Sequence, residues 1–189
     1  MLFRSASSDV SGLEVDLAWQ ASEQLRLGAS LALLDGKYNK FDSAACTALQ
    51  ESEILGGATS SGNCTASANG SSQNISGGQL GADHSGSITA DYEHPLSNGM
   101  TWFTSADFYF SDNWFLAGDL DPIDQQEAFQ RINLRTGIRA ENWDLMLYGR
   151  NITDETIAVG AADVPLAGGS HFKYLSPGEV WGAKFSYSF

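Results

Sequence analysis

The stretch Glu179-Val180-Trp181-Gly182-Ala183-Lys184-Phe185-Ser186-Tyr187-Ser188-Phe189 closes the chain. From Trp181 onward every odd position is apolar or aromatic, and Gly182, Lys184, Ser186 and Ser188 fill the even ones. A side-chain period of two belongs to a β-strand with one apolar and one polar face. Six other segments repeat it. Leu13, Val15, Leu17 and Trp19 alternate with Glu14, Asp16 and Ala18; Leu25, Leu27, Ala29, Leu31 and Leu33 alternate with Arg26, Gly28, Ser30 and Ala32. Ile88, Ala90 and Tyr92 stand opposite Ser87, Thr89, Asp91 and Glu93; Trp102, Ala106, Phe108 and Phe110 oppose Thr101, Ser105 and Asp107. Ile132, Leu134, Thr136 and Ile138 oppose Arg131, Asn133, Arg135 and Arg139, and Trp143, Leu145 and Leu147 oppose Asp144, Met146, Tyr148 and Arg150. Seven strands of about ten residues result, the length that crosses a bilayer when tilted. Trp19, Tyr92, Trp102, Phe110, Trp143 and Phe189 cluster toward strand ends, where aromatic girdles meet the membrane interfaces.

The connections carry a second signal. Residues 20–24, 95–99 and 140–142 are short turns, whereas residues 36–83, 111–126 and 151–178 are long. Short and long alternate throughout, as in transmembrane barrels with tight periplasmic turns and long external loops. A periplasmic carboxyl terminus then places all three long loops outside. The fold class is therefore all-β: a segment of an antiparallel transmembrane β-barrel. Glycine accounts for 20 of 189 residues and proline for 4. No apolar run is long enough for a transmembrane helix, and strand signals hide in average hydropathy. Residues 1–5 lack the features of a signal peptide. Because a barrel protein must be exported, Met1 is expected to be an internal start or a truncation point. The net charge of −13 excludes nucleic acid, which selects a basic face.

Asn133-Leu134-Arg135-Thr136-Gly137-Ile138, then Trp143-Asp144-Leu145-Met146-Leu147-Tyr148-Gly149-Arg150-Asn151-Ile152-Thr153-Asp154-Glu155, then the aromatic-ended tail, resemble the carboxyl end of TonB-dependent outer-membrane receptors. Gly12-Leu13-Glu14-Val15-Asp16 and Tyr92-Glu93-His94-Pro95-Leu96 look like two further motifs of that family. Pro177-Gly178-Glu179-Val180-Trp181-Gly182 departs from it, lacking the arginine that usually precedes the last strand. The resemblance implies a barrel of about 22 strands around a plug. Residues 1–189 would form the carboxyl-terminal portion of that barrel, without plug or TonB box. It also implies the outer membrane of a Gram-negative bacterium, lipid and lipopolysaccharide around the wall, and the TonB complex as partner through the missing amino-terminal region. The cargo would be a small nutrient: a siderophore, cobalamin or an oligosaccharide. No cofactor is expected. The alternative is a standalone structural or adhesive outer-membrane β-protein that closes by oligomerising. A soluble β-sandwich is a third reading, and it requires Trp19, Trp102, Trp143 and Trp181 to be core residues.

On this reading Cys46 and Cys64, both in the first long loop, lie at an oxidising cell surface and are expected to pair. His84, His94 and His171 are scattered over separate segments, which predicts no metal or catalytic centre. No nucleophile elbow, P-loop or HExxH motif points to an enzyme. Asp112, Asp119, Asp121, Asp124 and Glu127 lack the glycine turn of a calcium loop and are expected to form a solvated acidic loop. Its negative field would disfavour an anionic ferric siderophore and tolerate neutral ligands. Trp114, Phe115, Phe172 and Tyr174 are candidate ligand-binding residues that could stack on sugar faces, or girdle residues. Arg131, Arg135, Arg139 and Arg150 are expected to face the lumen opposite Glu14, Asp16, Asp91, Glu93, Asp107 and Asp144. Four Asn-X-Ser/Thr triplets, beginning at Asn63, Asn69, Asn74 and Asn151, are read as chance matches in an Asn/Gly/Ser-rich chain.

Overall fold

The computed structural model describes residues 6–68, 70–164 and 167–189; Met1 and Asn69 lie outside them. Seven long strands form one antiparallel sheet in strict chain order. They are β1 (Ser7–Gln20), β2 (Leu25–Lys40), β3 (His84–Pro95), β4 (Thr101–Ser111), β5 (Phe129–Arg139), β6 (Trp143–Arg150) and β7 (Val180–Tyr187). Each neighbour pair is joined by its own connection, so the sheet is an up-and-down meander, the wall of a barrel. Among the described residues the outer edges of β1 and β7 are unpaired. Among the described residues no helix is long and apolar enough to cross a membrane.

Register turns the period-two pattern into two continuous faces. Leu13 pairs with Leu33, Val15 with Leu31, Leu17 with Ala29 and Trp19 with Leu27. The row continues through Ile88 beside Ala29, Phe108 beside Ile88, and Ile132 beside Phe108. It ends with Leu145 beside Phe185 and Trp143 beside Tyr187. Leu17 and Trp181 are each 62 % exposed, and no second layer covers this face. A β-sandwich is thereby overturned, because its tryptophans would have to be enclosed. An exposed apolar band of this extent fits a lipid surface. Its few polar atoms satisfy one another: Trp102 Nε1 donates to Thr136 Oγ1 at 3.0 Å, and the Thr104 and Thr136 hydroxyls lie 2.8 Å apart. Hydrocarbon demands that pairing.

The first two strands are longer than expected. The outward row of β2 is apolar from Leu25 to Leu33, about the span a bilayer requires, and then becomes Asp35 and Lys37. Asp35 and Lys37 form an ion pair at 2.8 Å, well exposed. The β1–β2 hairpin therefore projects beyond the apolar band into the first loop.

The last two wall strands lock reciprocally. Gly149 stands directly opposite Trp181, and Gly182 directly opposite Tyr148. A Cβ at Gly149 would lie 2.6 Å from the Trp181 ring, and one at Gly182 would lie 2.5 Å from the Tyr148 ring. One aromatic covers a glycine on the outer face and the other covers a glycine on the inner face. Gly149→Val is expected to cost about 1–3 kcal/mol by displacing the indole. Leu147→Arg on the lipid face is expected to cost about 2–4 kcal/mol near the bilayer centre. Denaturant unfolding in lipid vesicles measures both, and an unchanged midpoint for Leu147→Arg would contradict the assignment of this face to lipid.

Candidate functional site

Two surfaces could carry function: the polar inner face of the wall and the layer built by the three long loops. On the inner face Arg131, Arg135 and Arg139 follow one another along β5, with Asp144 and Arg150 on β6. Arg139 Nη1 lies 3.3 Å from Glu93 Oε1. Arg135 Nη2 lies 3.5 Å from Asp91 Oδ1, which also accepts from Ser105 Oγ at 2.6 Å. These side chains are about half exposed, so each pair contributes under about 1 kcal/mol. Arg131 and Arg150 behave differently. They lie over Tyr109 and Tyr148, 5.6 Å and 5.3 Å from the ring centroids, and among the described residues neither joins an ion pair. Opposite charge was the expected partner. Tyr148 precedes Arg150 by two positions on the same face of β6, and Tyr109 sits directly across from Arg131. Arg139 also stacks on Phe103, at 5.2 Å. Asp107, Arg131, Arg135, Tyr148, Arg150 and Lys184 border one groove of the inner wall.

The loops are folded structures. In the first, helix α1 (Ala48–Leu55) starts from a reciprocal cap: Gln50 N donates to Thr47 Oγ1, and Thr47 N donates to Gln50 Oε1. A disulfide joins Cys46, just before the helix, to Cys64 on the short strand Cys64–Ser67, with Cα atoms 5.7 Å apart. In the second loop Trp114–Phe115 pairs with Gln125–Gln126 around the 3₁₀ turn Pro122–Asp124. In the third, Ala158–Asp163 and His171–Leu175 form a hairpin.

Buried glutamines tie the loops together. Gln73 Nε2 donates to Ala45 O and to Asp119 O, both at 2.7 Å, joining the first loop to the second. Gln126 Oε1 accepts from Ala158 N at 2.6 Å, and Lys173 Nζ donates to Gln125 O at 3.0 Å, joining the second to the third. Apart from a few wall positions, the buried residues of the protein lie in this layer and not in the sheet.

The second loop departs most from expectation. Asp119, Asp121 and Asp124 are buried, with Asp124 at 0 % exposure, so the solvated acidic loop is overturned for these three; Glu127 is exposed and Asp112 half-buried. Burial pushes the Asp119 carboxyl above its usual value; the negative charges of Asp163 and Asp121 add to this, and backbone N–H groups oppose it. His171 is not isolated either. It lies against Asp121, Asp124 and Asp163, because the hairpin folds back over the turn. The four candidate aromatics do not form one platform. Phe172 and Tyr174 make an edge-on pair at 5.2 Å on the opposite face of their strand from His171 and Lys173. Trp114 packs on Phe129 at 5.8 Å, and Phe129 packs on Tyr109 at 5.7 Å. That aromatic row leads from the loops onto the inner wall and ends under Arg131. Phe129 and Tyr109 were missed in the sequence because they border a strand start and a lumen row.

No family model matches the sequence, and no curated protein matches it. Solved structures match the fold. The ferric yersiniabactin uptake receptor FyuA from Yersinia pestis superposes on 97 % of this chain with a TM-score of 0.68 at 11 % identity. The siderophore receptor PiuA from Acinetobacter baumannii superposes on 96 % with a TM-score of 0.62 at 16 % identity. The chain has the fold of a TonB-dependent receptor's barrel wall. It spans 24 % of the first receptor's length and 22 % of the second's, about a quarter of each.

In this barrel wall the Asn151-Ile152-Thr153-Asp154 segment turns the chain from β6 into the third loop. Asn151 and Asp154 both adopt φ of 50°, a left-handed conformation that asparagine and aspartate tolerate better than most residues. Asn151 Oδ1 accepts from Glu155 N at 3.1 Å, and its Nδ2 donates to Glu155 O at 2.9 Å. Its backbone N–H donates to Asn133 Oδ1 at 2.9 Å. Asp154 Oδ1 then accepts from Glu179 N at 3.1 Å, closing the base of the loop. Asn151→Ala strips the two side-chain bonds to Glu155 from a buried site and is expected to loosen the loop by about 1–3 kcal/mol. Faster tryptic cleavage at Lys173 would report it. Replacing Cys46 and Cys64 by serine is expected to cost the first loop about 3 kcal/mol on the chain-entropy model. Hydrogen exchange across α1 measures that loss.

Proposed function

We propose that this chain is the carboxyl-terminal part of the barrel of a TonB-dependent outer-membrane receptor that actively takes up a small, scarce nutrient. The observation that carries the reading is a seven-stranded meander, apolar outside and charged inside, that follows siderophore-receptor barrels over nearly its whole length. In the complete receptor the unpaired edges of β1 and β7 join the remaining strands, since an open edge invites aggregation. The outer face meets lipid, and its rim meets lipopolysaccharide. The inner face lines the lumen against a plug supplied by another segment, and that segment carries the contact with the TonB complex. The role is transport and not catalysis.

The nutrient belongs to the siderophore, cobalamin or oligosaccharide class. Three of the acidic residues behind the objection to an anionic ferric siderophore, Asp119, Asp121 and Asp124, are turned inside the loop layer and not presented to a ligand. Trp114 at the mouth and Arg131 below it offer stacking and positive charge along one path.

Reading the gene upstream of the Met1 codon tests the proposal. A continuous frame encoding a signal peptide, a plug and the rest of the barrel is the expected result. A stop codon and ribosome site just before Met1 would overturn it in favour of an oligomeric barrel. With the complete gene, uptake of radiolabelled candidates into cells with and without TonB is expected to show TonB-dependent accumulation of one class.

A further inference from the structure

We propose that Asp124, Asp163 and His171 bind a divalent first-row transition-metal ion that clasps the second long loop to the third. Their donor atoms all lie within 4.8 Å of one another. The backbone explains the convergence. Asp163 and His171 are directly opposed across the antiparallel hairpin, a position that points both side chains to one face. Asp124 ends the 3₁₀ turn, which is capped by Asp121 and stiffened by Pro122, and it faces them from the other loop.

Hydrogen bonding alone does not satisfy the cluster. His171 Nδ1 lies 3.3 Å from Asp124 Oδ2 and 3.2 Å from Asp163 Oδ1. A ring nitrogen carries at most one hydrogen and can aim it at only one oxygen. Asp124 Oδ1, Asp163 Oδ1 and His171 Nε2 are buried without a hydrogen-bond partner. The Asp124 side chain is 1 % exposed, and among the described residues no lysine or arginine pairs with it. Burying an unpaired carboxylate is costly, whereas a coordinated one is compensated. Metal–ligand bonds of about 2.0–2.2 Å in a tetrahedral site set neighbouring donors about 3.3–3.5 Å apart, close to the separations around Nδ1.

The other side of the ring completes the argument. Asp121 Oδ2 lies 3.6 Å from His171 Nε2, and both side chains are buried. That separation is beyond a hydrogen bond, but the negative charge beside Nε2 favours the tautomer with its hydrogen there, and a small approach of Asp121 on metal binding would give the carboxylate support usual behind a metal-bound imidazole. One imidazole with carboxylates suits zinc, iron or manganese, and disfavours calcium, which takes oxygen donors. The Asp163 side chain is 41 % exposed, so the ion has a path from solvent. The clasp does not depend on which nutrient is carried.

The test uses the complete receptor, purified in detergent and freed of metal by chelator dialysis, then titrated calorimetrically with zinc chloride. One zinc per chain is expected at this site, with calcium failing to compete. His171→Ala and Asp163→Asn are expected to abolish this step; Asp163 is the safer variant because it is the least buried. Asp121→Asn keeps the turn's cap and is expected to weaken zinc about 10- to 100-fold. Zinc should also slow tryptic cleavage at Lys173 in the parent and not in Asp163→Asn. Zinc uptake that is unchanged in Asp163→Asn and His171→Ala, or absent in the parent, would overturn the proposal.

Discussion

Every feature of this wall follows from one constraint: a sheet with an apolar face and no second layer must pair all its backbone groups along its own strands. In hydrocarbon an unpaired N–H or C=O costs several kcal/mol, so strands must be regular, adjacent in sequence and matched in register. The seven-strand meander meets this everywhere except at its two edges. The sheet encloses no core of its own, so Leu17 and Trp181 remain exposed on a face suited to lipid while buried residues gather in the loops. The loops bury only a few small clusters of apolar side chains, Ala44, Ile75 and Ile157 among them. They add a disulfide, a capped helix and buried glutamines, of which Gln73 bonds a carbonyl of a neighbouring loop.

This division of labour governs what the sequence disclosed. The wall was legible because lipid and lumen impose a two-residue period that survives any choice of side chain. The alternation from Leu25 to Leu33 could be placed without coordinates. The ends of β1 and β2 were not legible, because above Leu33 both faces turn polar and the period no longer marks a strand. The loops were opaque for a different reason. Their order rests on contacts between segments far apart in sequence, such as Gln73 with Asp119 and Gln126 with Ala158. His171 looked isolated because its partners are Asp121 and Asp124 in another loop and Asp163 across a hairpin turn. Asn151 was visible as part of a motif, but its left-handed turn and its bonds to Glu155 were not.

Charge shows most clearly how composition misleads. A net charge of −13 suggests a chain that repels anions everywhere. The inner wall contradicts that. Register directs Arg26, Arg131, Arg135, Arg139, Arg150 and Lys184 inward, along with Glu14, Asp16, Asp91, Glu93, Asp107 and Asp144, so the lumen face is close to neutral. The two signs are biased around the circumference. Glu14, Asp16, Asp91 and Glu93 lie on β1 and β3 with Arg26 between them on β2, whereas four arginines and Lys184 lie on β5, β6 and β7 with Asp144 among them. Arg131 and Arg150 hold their charge over tyrosine faces without a paired carboxylate, so their field is not cancelled locally. A low-dielectric wall focuses such a field, making the β5–β7 side of the inner face the more positive one despite the chain's negative total.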